Sequence, residues 1–419
     1  MDRVILHCDL NNFFASVECV RHPEYRDRPL AVCGSVEHRH GICLAKNYAA
    51  KRYGIATGDT VATVRQKCPD AVIVEPHYGD YEEFSRRTQA IYARYTDQIE
   101  PFGCDESWLD VSGSMLLFGS GAALADRIRE DVKRELSLTI SVGVSFNKVF
   151  AKLGSDLKKP DAVTLIPRER FREIVWGLPA SALLGVGPVT ERALERHCVR
   201  TIGQLAAMPP QYMRAWLGRS ADALWRAANG MDESAVVPLA LAPPLQSISH
   251  GMTPLRDIEN ASECAAFLRE MAQDVGRRLR KNHMQAAGVR LSLRDNSLFT
   301  QEYQAALPAP SAHTDVIADA AIRLMRQRCR FLRPLRSATL GVYRLIPDDA
   351  PLQLDLLRDP AAEERASRLE TTIDALRARY GAHAVHSASY LTLTDGALLE
   401  RDSAWHPAFS LGEGVRDGS

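Results

Sequence analysis

Long apolar runs and paired cysteines are both missing from this sequence of 419 residues. No stretch reaches the roughly 18 consecutive apolar residues that a membrane-spanning helix requires. The nine cysteines are odd in number and form no C-x-x-C pair, which argues against a disulfide framework or a zinc site. No signal-peptide pattern follows the N-terminus. We therefore expect a cytoplasmic protein of about three or four domains.

An excess of charge is also missing, because 52 basic residues balance 52 acidic ones. The balance fails locally, however. Residues 246–345 hold 15 Lys and Arg against 9 Asp and Glu, whereas residues 346–419 hold 7 against 13. A local basic face can hold a phosphate backbone whatever the total charge is. Residues 246–345 therefore form the candidate nucleic-acid-binding region.

The spacing of apolar residues predicts an α+β multidomain protein. Strands over 3–9 and 139–144 alternate with helices over 81–95, 122–136 and 147–157. Asn11 and Asn12 offer an N-cap for the helix that follows the first strand. Residues 168–230 are predicted to be wholly helical, with breaks at Pro179, residues 185–187 and Pro209-Pro210. The proline-rich segment 237–244 suits a linker, and the polar end of the acidic region 346–419 suits disorder.

Three carboxylates stand where two predicted strands end. Asp9 closes the first strand, and Asp105 and Glu106 lie in a turn between strands at 98–103 and 107–111. If the strands are neighbours, the carboxylates converge and repel one another unless cations lie between them. Oxygen ligands of this kind suit Mg²⁺, and two such ions can support an in-line displacement. Spacing alone favours an ordinary solvated turn.

Four segments change that interpretation: ILHCDLNNFFASVE, NYAAKRYGI, CDESWLDVSGS and SVGVSFNKVFAKLGSDLKKP. In order and spacing they resemble the signature segments of Y-family DNA polymerases, the translesion class, and most closely its bacterial DNA polymerase IV branch. The resemblance runs from about residue 3 to about residue 395. It implies a right-hand polymerase with these parts: palm at 1–10 and 78–167, small fingers at 11–77, thumb at 168–236, linker at 237–245, α/β little finger at 246–345 and an acidic tail at 346–419.

The resemblance also implies roles for single residues. Asp9 and Asp105 would bind two Mg²⁺ ions, with Glu106 and the Leu10 carbonyl completing the site. Phe14 aligns with the steric gate, an aromatic ring that leaves no room for a ribose 2′-hydroxyl. The residues that align with those holding the incoming dNTP are Tyr48, Lys51 and Lys159. The implied activity is error-prone translesion synthesis on primer–template DNA in damage tolerance, by a monomer without a proofreading exonuclease.

Two further segments are candidates for holding DNA. Leu183–Leu194 is predicted to be a helix-hairpin-helix, in which Gly185 and Gly187 permit a turn that presents backbone N–H groups to a phosphate. Arg290 and Arg294 alternate with apolar residues along a predicted strand. Two arginine-rich series flank that strand, and helix-dipole compensation or a solvated helix face is the alternative for each. Their members are Arg277, Arg278, Arg280 and Lys281, and then Arg323, Arg326, Arg328, Arg330, Arg333 and Arg336.

A leucine-rich pentapeptide resembles the peptide that bacterial polymerases insert into the sliding clamp, although such sequences also occur by chance. Its contact residues would be Gln353, Leu354, Leu356 and Leu357.

Several positions depart from the family pattern without touching the three carboxylates. Lys51 stands where many members have Arg, which replaces a bidentate fork with a point charge. Ala45 and Lys46 replace a common Thr-Ala, Asn11 replaces a frequent acidic residue, and Gly103-Cys104 precedes Asp105.

Rival hypotheses are a nucleotidyl cyclase, a reverse transcriptase and a relative that binds DNA without catalysis. The helix-hairpin-helix and the basic region argue against a cyclase, and the retained carboxylates argue against a non-catalytic relative.

Overall fold

The protein is described by a computed structural model that covers residues 3–35, 41–241, 243–351, 360–381, 384–395 and 398–399. It divides into two compact units. The first, here the N-terminal unit, lies within residues 1–33 and 43–242, and the second, the C-terminal unit, within 34–42 and 243–419. Within the described residues, no helix has the length and apolar character needed to cross a membrane.

A five-stranded sheet with the order β5-β6-β1-β7-β8 forms the centre of the N-terminal unit. Strand β1 runs antiparallel to both β6 and β7, and all six of its residues are buried. Burial on both faces is typical of a central strand that helices cover on each side. The strands are β1 (Ile5–Leu10), β5 (Ile99–Pro101), β6 (Glu106–Asp110), β7 (Ile140–Ser145) and β8 (Val163–Ile166).

Helices cover both faces of this sheet. One face carries the core formed by α1 (Phe13–Arg21), α4 (Tyr78–Tyr92) and α6 (Gly121–Leu136). The short α5 (Met115–Phe118) precedes α6. The other face carries α7 (Lys148–Leu157), which approaches so closely that a Cβ at Gly143 would lie 1.8 Å from the Ala151 carbonyl oxygen. Side chains of β1 therefore alternate between two helical layers.

A smaller sheet has the order β3-β2-β4. Its strands are β2 (Leu30–Cys33), β3 (Cys43–Lys46) and β4 (Val72–Val74), joined by α2 (Tyr48–Arg52) and α3 (Val61–Lys67). The Asn47 side chain caps α2 by accepting from Ala50 N at 2.9 Å, and it also accepts from Leu30 N at 3.1 Å. One amide thus begins the helix and fixes it against β2.

The predicted helical region is mostly helical. It breaks at the three predicted places and also over residues 197–201, where no break was predicted. The helices are α8 (Phe171–Val175), α9 (Pro188–Arg196), α10 (Ile202–Ala207), α11 (Pro210–Leu217) and α12 (Ala221–Ala228). Prolines occupy the first position of α9 and α11, where a missing N–H costs no hydrogen bond. A capping box between Thr201 and Gln204 begins α10.

The C-terminal unit is a four-stranded antiparallel sheet, β11-β10-β12-β9, with helices on one face. The strands are β9 (Ser247–Met252), β10 (Met284–Asp295), β11 (Thr300–Ser311) and β12 (Leu335–Pro347). The helices that follow or interleave with them are α13 (Ala261–Lys281), α14 (Thr314–Arg328), α15 (Pro360–Tyr380) and α16 (Ala388–Asp395).

The acidic region after residue 346 is more ordered than its composition suggests. Both α15 and α16 lie within it, and Tyr390, Leu393, Leu398 and Leu399 belong to the core of the C-terminal unit. Helix α15 runs from Pro360 to Tyr380 within this acidic region. The disorder predicted for the polar end of this region falls on residues that lie outside the described part of the chain.

Candidate active site

Strand pairing brings the three candidate metal-binding carboxylates to one end of the central sheet. Asp9 is the register partner of Glu106, the first residue of β6. The Leu10 N–H donates to the Asp105 carbonyl at 2.9 Å. Gly103 turns the chain with a φ of +90°, and a Cβ there would lie 3.3 Å from Asp105 Oδ1. The departure to glycine at 103 thus leaves room for the Asp105 carboxylate.

The three carboxyl groups differ in pKa because each has different neighbours. Burial, followed by the charges of Asp9 and Glu106, raises the pKa of Asp105 to about 6. Burial also raises the pKa of Asp9, although the Lys159 ammonium opposes it. Burial pushes the pKa of Glu106 upward, but His7 and Lys152 outweigh it and hold that pKa at about 2. A cation near Asp105 would oppose the negative charges of Asp9 and Glu106 and lower the pKa of Asp105.

Two lysines form ion pairs with Asp9 and Glu106. Lys159 Nζ lies 2.7 Å from Asp9 Oδ2, and Lys152 forms an ion pair with Glu106. With the side chains so placed, the described residues contain no group of three or more His, Cys, Asp or Glu arranged to hold a metal. The chemistry of the donor set nevertheless fits a hard divalent cation, because it consists of oxygen atoms whose mutual repulsion raises a pKa.

Sequence reasoning missed His7 and Lys152. His7 lies two residues before Asp9 on β1, so both side chains face the same side of the sheet. Its Nε2 lies 3.1 Å from Glu106 Oε2, a close but poorly aligned contact, and its Nδ1 lies 2.9 Å from Ser155 Oγ. The i, i+2 spacing from Asp9 was the signal for His7. Lys152 carried no local signal, since its partner is distant in sequence.

Of the candidate nucleotide-binding residues, Lys159 contacts Asp9 directly. Burial raises the pKa of Tyr48, and the charges of Lys159 and Asp9 also act on it. Lys51 Nζ lies 6.0 Å from the centre of the Tyr48 ring. Phe14 is half-buried, and its ring stacks on Tyr81 with centroids 4.1 Å apart. The structure thus places Lys159 on Asp9 and Lys51 beside Tyr48.

The two asparagines before α1 do not cap it as the sequence predicted. Asn12 occupies the N-cap position in a left-handed conformation, with a φ of 49°, and makes no side-chain capping bond. The Asn11 amide instead donates to Ser141 Oγ and accepts from Asp161 N, both at 2.9 Å. A tertiary network has taken the side chain that a local cap would use.

The turn before α9 has the predicted geometry. Gly185 adopts a φ of +93°, which favours glycine, and a Cβ there would lie 3.3 Å from Leu224 Cδ2. A Cβ at Gly187 would contact nothing within 4 Å, so the close approach of another group to this backbone is sterically open. Val189 is 74% exposed on the following turn. The phosphate contact stays a prediction.

The first arginine series is mostly structural, so the predicted DNA contact is wrong for Arg278 and Arg280. Arg278 is 9% exposed and donates to the Ser249 carbonyl at 2.9 Å. Arg280 lies 2.7 Å from Asp374 Oδ2 and 2.8 Å from Glu370 Oε2. These guanidinium groups join α13 to β9 and to α15, and they are not available to a phosphate backbone.

Four exposed arginines of the C-terminal unit lie on opposite sides of its sheet. Arg290 and Arg294 are exposed and alternate with the buried Leu291 and Leu293 of β10; they define the strand face. Helix α14 packs on the face of the sheet that carries those leucines. Its exposed Arg323 and Arg326 lie on the outer side of the helix, away from the sheet, and define the helix face. One DNA duplex therefore cannot use both faces as a single surface. The predicted clamp peptide, Gln353 to Leu357, lies outside the described residues.

Comparison with known proteins gives a consistent family. Residues 8–156 match the model of the impB/mucB/samB family, and residues 245–356 match the model of its C-terminal domain. A DNA polymerase IV of Acetivibrio thermocellus is 45% identical over 385 residues, which cover 92% of this chain and 96% of the relative. The chain belongs to the Y family of DNA polymerases. A DNA polymerase IV of Moorella thermoacetica is 36% identical over 395 residues, or 93% of this chain and 97% of the relative.

A solved structure described as the Y-family DNA polymerase chimera Dbh-Dpo4(243-245)-Dbh shares the fold. Its TM-score is 0.73 at 22% identity, and the match covers 82% of this chain and 99% of that one. The predicted α+β multidomain fold with a C-terminal little finger is thereby confirmed. This Y-family polymerase is a DNA-directed DNA polymerase of the translesion class, from the branch of DNA polymerase IV, which generally uses a divalent metal and acts on DNA and dNTPs.

Proposed function

We propose that Asp9, Asp105 and Glu106, with the Leu10 carbonyl, hold two Mg²⁺ ions and form the catalytic centre for nucleotide addition. The observation that carries this proposal is the strand register, which sets Asp9 opposite Glu106 and the Leu10 N–H on the Asp105 carbonyl. When bound, such ions supply an activated 3′-hydroxyl and a stabilised leaving pyrophosphate.

Lys159, Tyr48, Lys51 and Phe14 would bind and orient the dNTP. Lys159 stays protonated, because its ion pair with Asp9 outweighs burial and raises its pKa. A fixed ammonium group favours the negative charge that develops on a transferring phosphoryl group. Tyr48 and Lys51, three apart on α2, would hold the triphosphate from the same side. The Phe14 ring would lie under the sugar and exclude a ribose 2′-hydroxyl by contact.

DNA would be held through its phosphates without regard to sequence. The Gly185–Gly187 turn and the strand face of Arg290 and Arg294 are the proposed contacts. A site that holds any backbone suits a polymerase that crosses damaged templates. We further propose that the protein acts as a monomer in the cytoplasm, and that its fidelity is low because it has no proofreading exonuclease. It would bind the sliding clamp through Gln353, Leu354, Leu356 and Leu357. The palm, fingers, thumb and linker would have the bounds given above.

Primer extension with Mg²⁺ and dNTPs tests the catalytic centre. The Asp105→Ala/Glu106→Ala variant should lose roughly 1,000-fold or more of its activity, because metal binding contributes several kcal/mol to such reactions. Glu82→Ala/Glu83→Ala removes the same charge from two adjacent exposed positions of α4 and should extend primers like the wild type. DNA binding is measured for both variants to show that each is folded. Equal incorporation by the wild type and the Asp105/Glu106 variant would eliminate the proposed centre.

A further inference from the structure

The ring of Phe14 is packed against a second aromatic side chain that is fully buried. Phe14 and Tyr81 stack with centroids 4.1 Å apart and planes 10° apart. Tyr78 meets the Phe14 ring edge-on, at 6.1 Å and 88°. Tyr81 itself is 0% exposed. Two aromatic contacts of different geometry restrict both the position and the tilt of the Phe14 ring.

Tyr81 is held in turn by a buried carboxylate on the helix that carries Phe14. The Tyr81 hydroxyl donates to Glu18 Oε1, and His77 Nδ1 lies 3.0 Å from the same oxygen. Glu18 is 1% exposed, and it follows Phe14 by four residues on α1. A carboxylate that has lost its water keeps its place only through such hydrogen bonds. Burial and the bond to Glu18 raise the pKa of the Tyr81 hydroxyl, so it remains a donor.

Phe14 and Glu18 share one face of α1 because they are one turn apart. Both contact Tyr81, the first through its ring and the second through its hydroxyl. The Phe14 ring therefore cannot move toward α4 unless Tyr81 moves and breaks its bond to Glu18. On the exposed side, the ion pair of Arg21 with Asp80 joins the same two helices.

We propose that Tyr81 and Glu18 are positioning residues for sugar discrimination, which hold the Phe14 ring rigid against a ribose 2′-hydroxyl. This inference rests on the proposed role of Phe14 as the steric gate. A gate acts by contact, so it selects only as well as its ring resists displacement. The buried pair behind Phe14 supplies that resistance from outside the nucleotide site.

The measurement is the ratio of kcat/KM for a dNTP to kcat/KM for the rNTP with the same base. Tyr81→Leu should lower this ratio roughly 2- to 12-fold, the range that corresponds to the loss of one aromatic pair. Phe84→Leu is the matched control, because Phe84 lies one turn further along α4 in the same core and is 5% exposed. The control should leave the ratio unchanged. Thermal unfolding of each variant separates selectivity from stability.

Three comparisons distinguish a positioning role from a general loss of structure. In a Phe14→Ala background, Tyr81→Leu should have no further effect on the ratio, because Tyr81 acts through the ring that is gone. Glu18→Gln keeps an acceptor for the Tyr81 hydroxyl and should retain selectivity, whereas Glu18→Leu should lose it. Tyr81→Phe keeps the stacked ring and volume, so it tests the hydrogen bond with little risk to folding and should lower the ratio less than Tyr81→Leu.

These measurements distinguish a failure of the proposed steric gate from a failure of the proposed positioning role. If Phe14→Ala leaves the ratio unchanged, the proposed steric gate is wrong. If Phe14→Ala lowers the ratio but Tyr81→Leu changes it no more than Phe84→Leu does, the gate stands and the positioning role is overturned. Effects of Phe14→Ala and Tyr81→Leu that multiply in the double variant would also overturn it.

Discussion

At the scale of single residues, Asn11 shows how one amide organises the site. It is 1% exposed, and its side chain uses both a donor and an acceptor: Nδ2 donates to Ser141 Oγ and Oδ1 accepts from Asp161 N. A carboxylate at this position has no N–H to donate. The substitution of Asn for a frequent acidic residue therefore lets this side chain donate to Ser141 of β7, while its oxygen accepts from the segment that follows Lys159.

Replacement of Asn11 tests that connection. Asn11→Leu should lower the free energy of unfolding by about 1 to 3 kcal/mol, because buried hydrogen-bonding groups lose their partners. It should also raise KM for dNTPs, since the segment carrying Lys159 is no longer held. Thermal unfolding and steady-state primer extension measure the two effects. Ser141→Ala is the comparison, because it removes one of the two contacts and should leave KM closer to wild type. A destabilised Asn11→Leu enzyme with unchanged KM would limit Asn11 to a structural role.

At the scale of elements, α15 is attached by polar groups more than by an apolar stripe. Most of its side chains are exposed. Glu370 accepts from Thr314 N at 2.7 Å and lies 2.8 Å from Arg280 and 3.3 Å from His313 Nδ1. Asp374 adds a second bond to Arg280, at 2.7 Å. Because these contacts involve ionised groups, the attachment of α15 should depend on pH.

The pKa of His313 determines whether the attachment of α15 weakens at high or at low pH. The hydrogen bond and charge of Glu370 raise the pKa of His313 above its ordinary value of 6.5. The stabilisation is therefore complete below pH 6.5 and is lost as pH rises through the raised pKa. His313→Gln should lower the hydrogen-exchange protection of α15 amides roughly fivefold near pH 6 and leave it unchanged near pH 9. His283→Gln, at a position whose side chain is 84% exposed, is the control in the same unit. A deficit of equal size at both pH values would contradict the ionic mechanism.

The sequence was enough to predict which segments form strands and helices, but not which side chains form ion pairs with one another. The buried β1 and the alternating β10 each follow a repeating apolar pattern, which the chain shows locally. Helix α4 begins at Tyr78, three residues before the predicted start at 81. The sequence did not reveal this start, because His77 at the N-cap position makes no side-chain capping bond. Arg280 was wrongly predicted to contact DNA because its acidic partners are distant in the sequence. Its partners Glu370 and Asp374 follow it by 90 and 94 residues, and composition cannot show which distant acid a base will meet.

At the scale of the whole molecule, the zero net charge hides how the basic residues are used. Arg277 and Arg280 are paired with acids, and Arg278 is buried. Arg290 and Arg294 remain exposed on the strand face, while Arg323 and Arg326 are exposed on the helix face. A count of charges would treat all of them alike. Their burial and partners decide which can release counterions from DNA.

The two exposed faces make the proposed DNA contact testable with charge-matched variants. Arg290→Ala/Arg294→Ala and Arg323→Ala/Arg326→Ala each remove two positive charges from the same unit, on opposite sides of its sheet. Each phosphate contact adds about 0.9 to the slope of log affinity against log salt concentration. The strand-face variant should lower that slope by roughly 1 to 2, equally for two unrelated duplex sequences, because backbone contacts carry no sequence information. The helix-face variant should keep the wild-type slope. If both variants lower it equally, the total charge of the unit governs binding and the strand face has no special role; if only the helix-face variant does, DNA lies on the other side of the sheet.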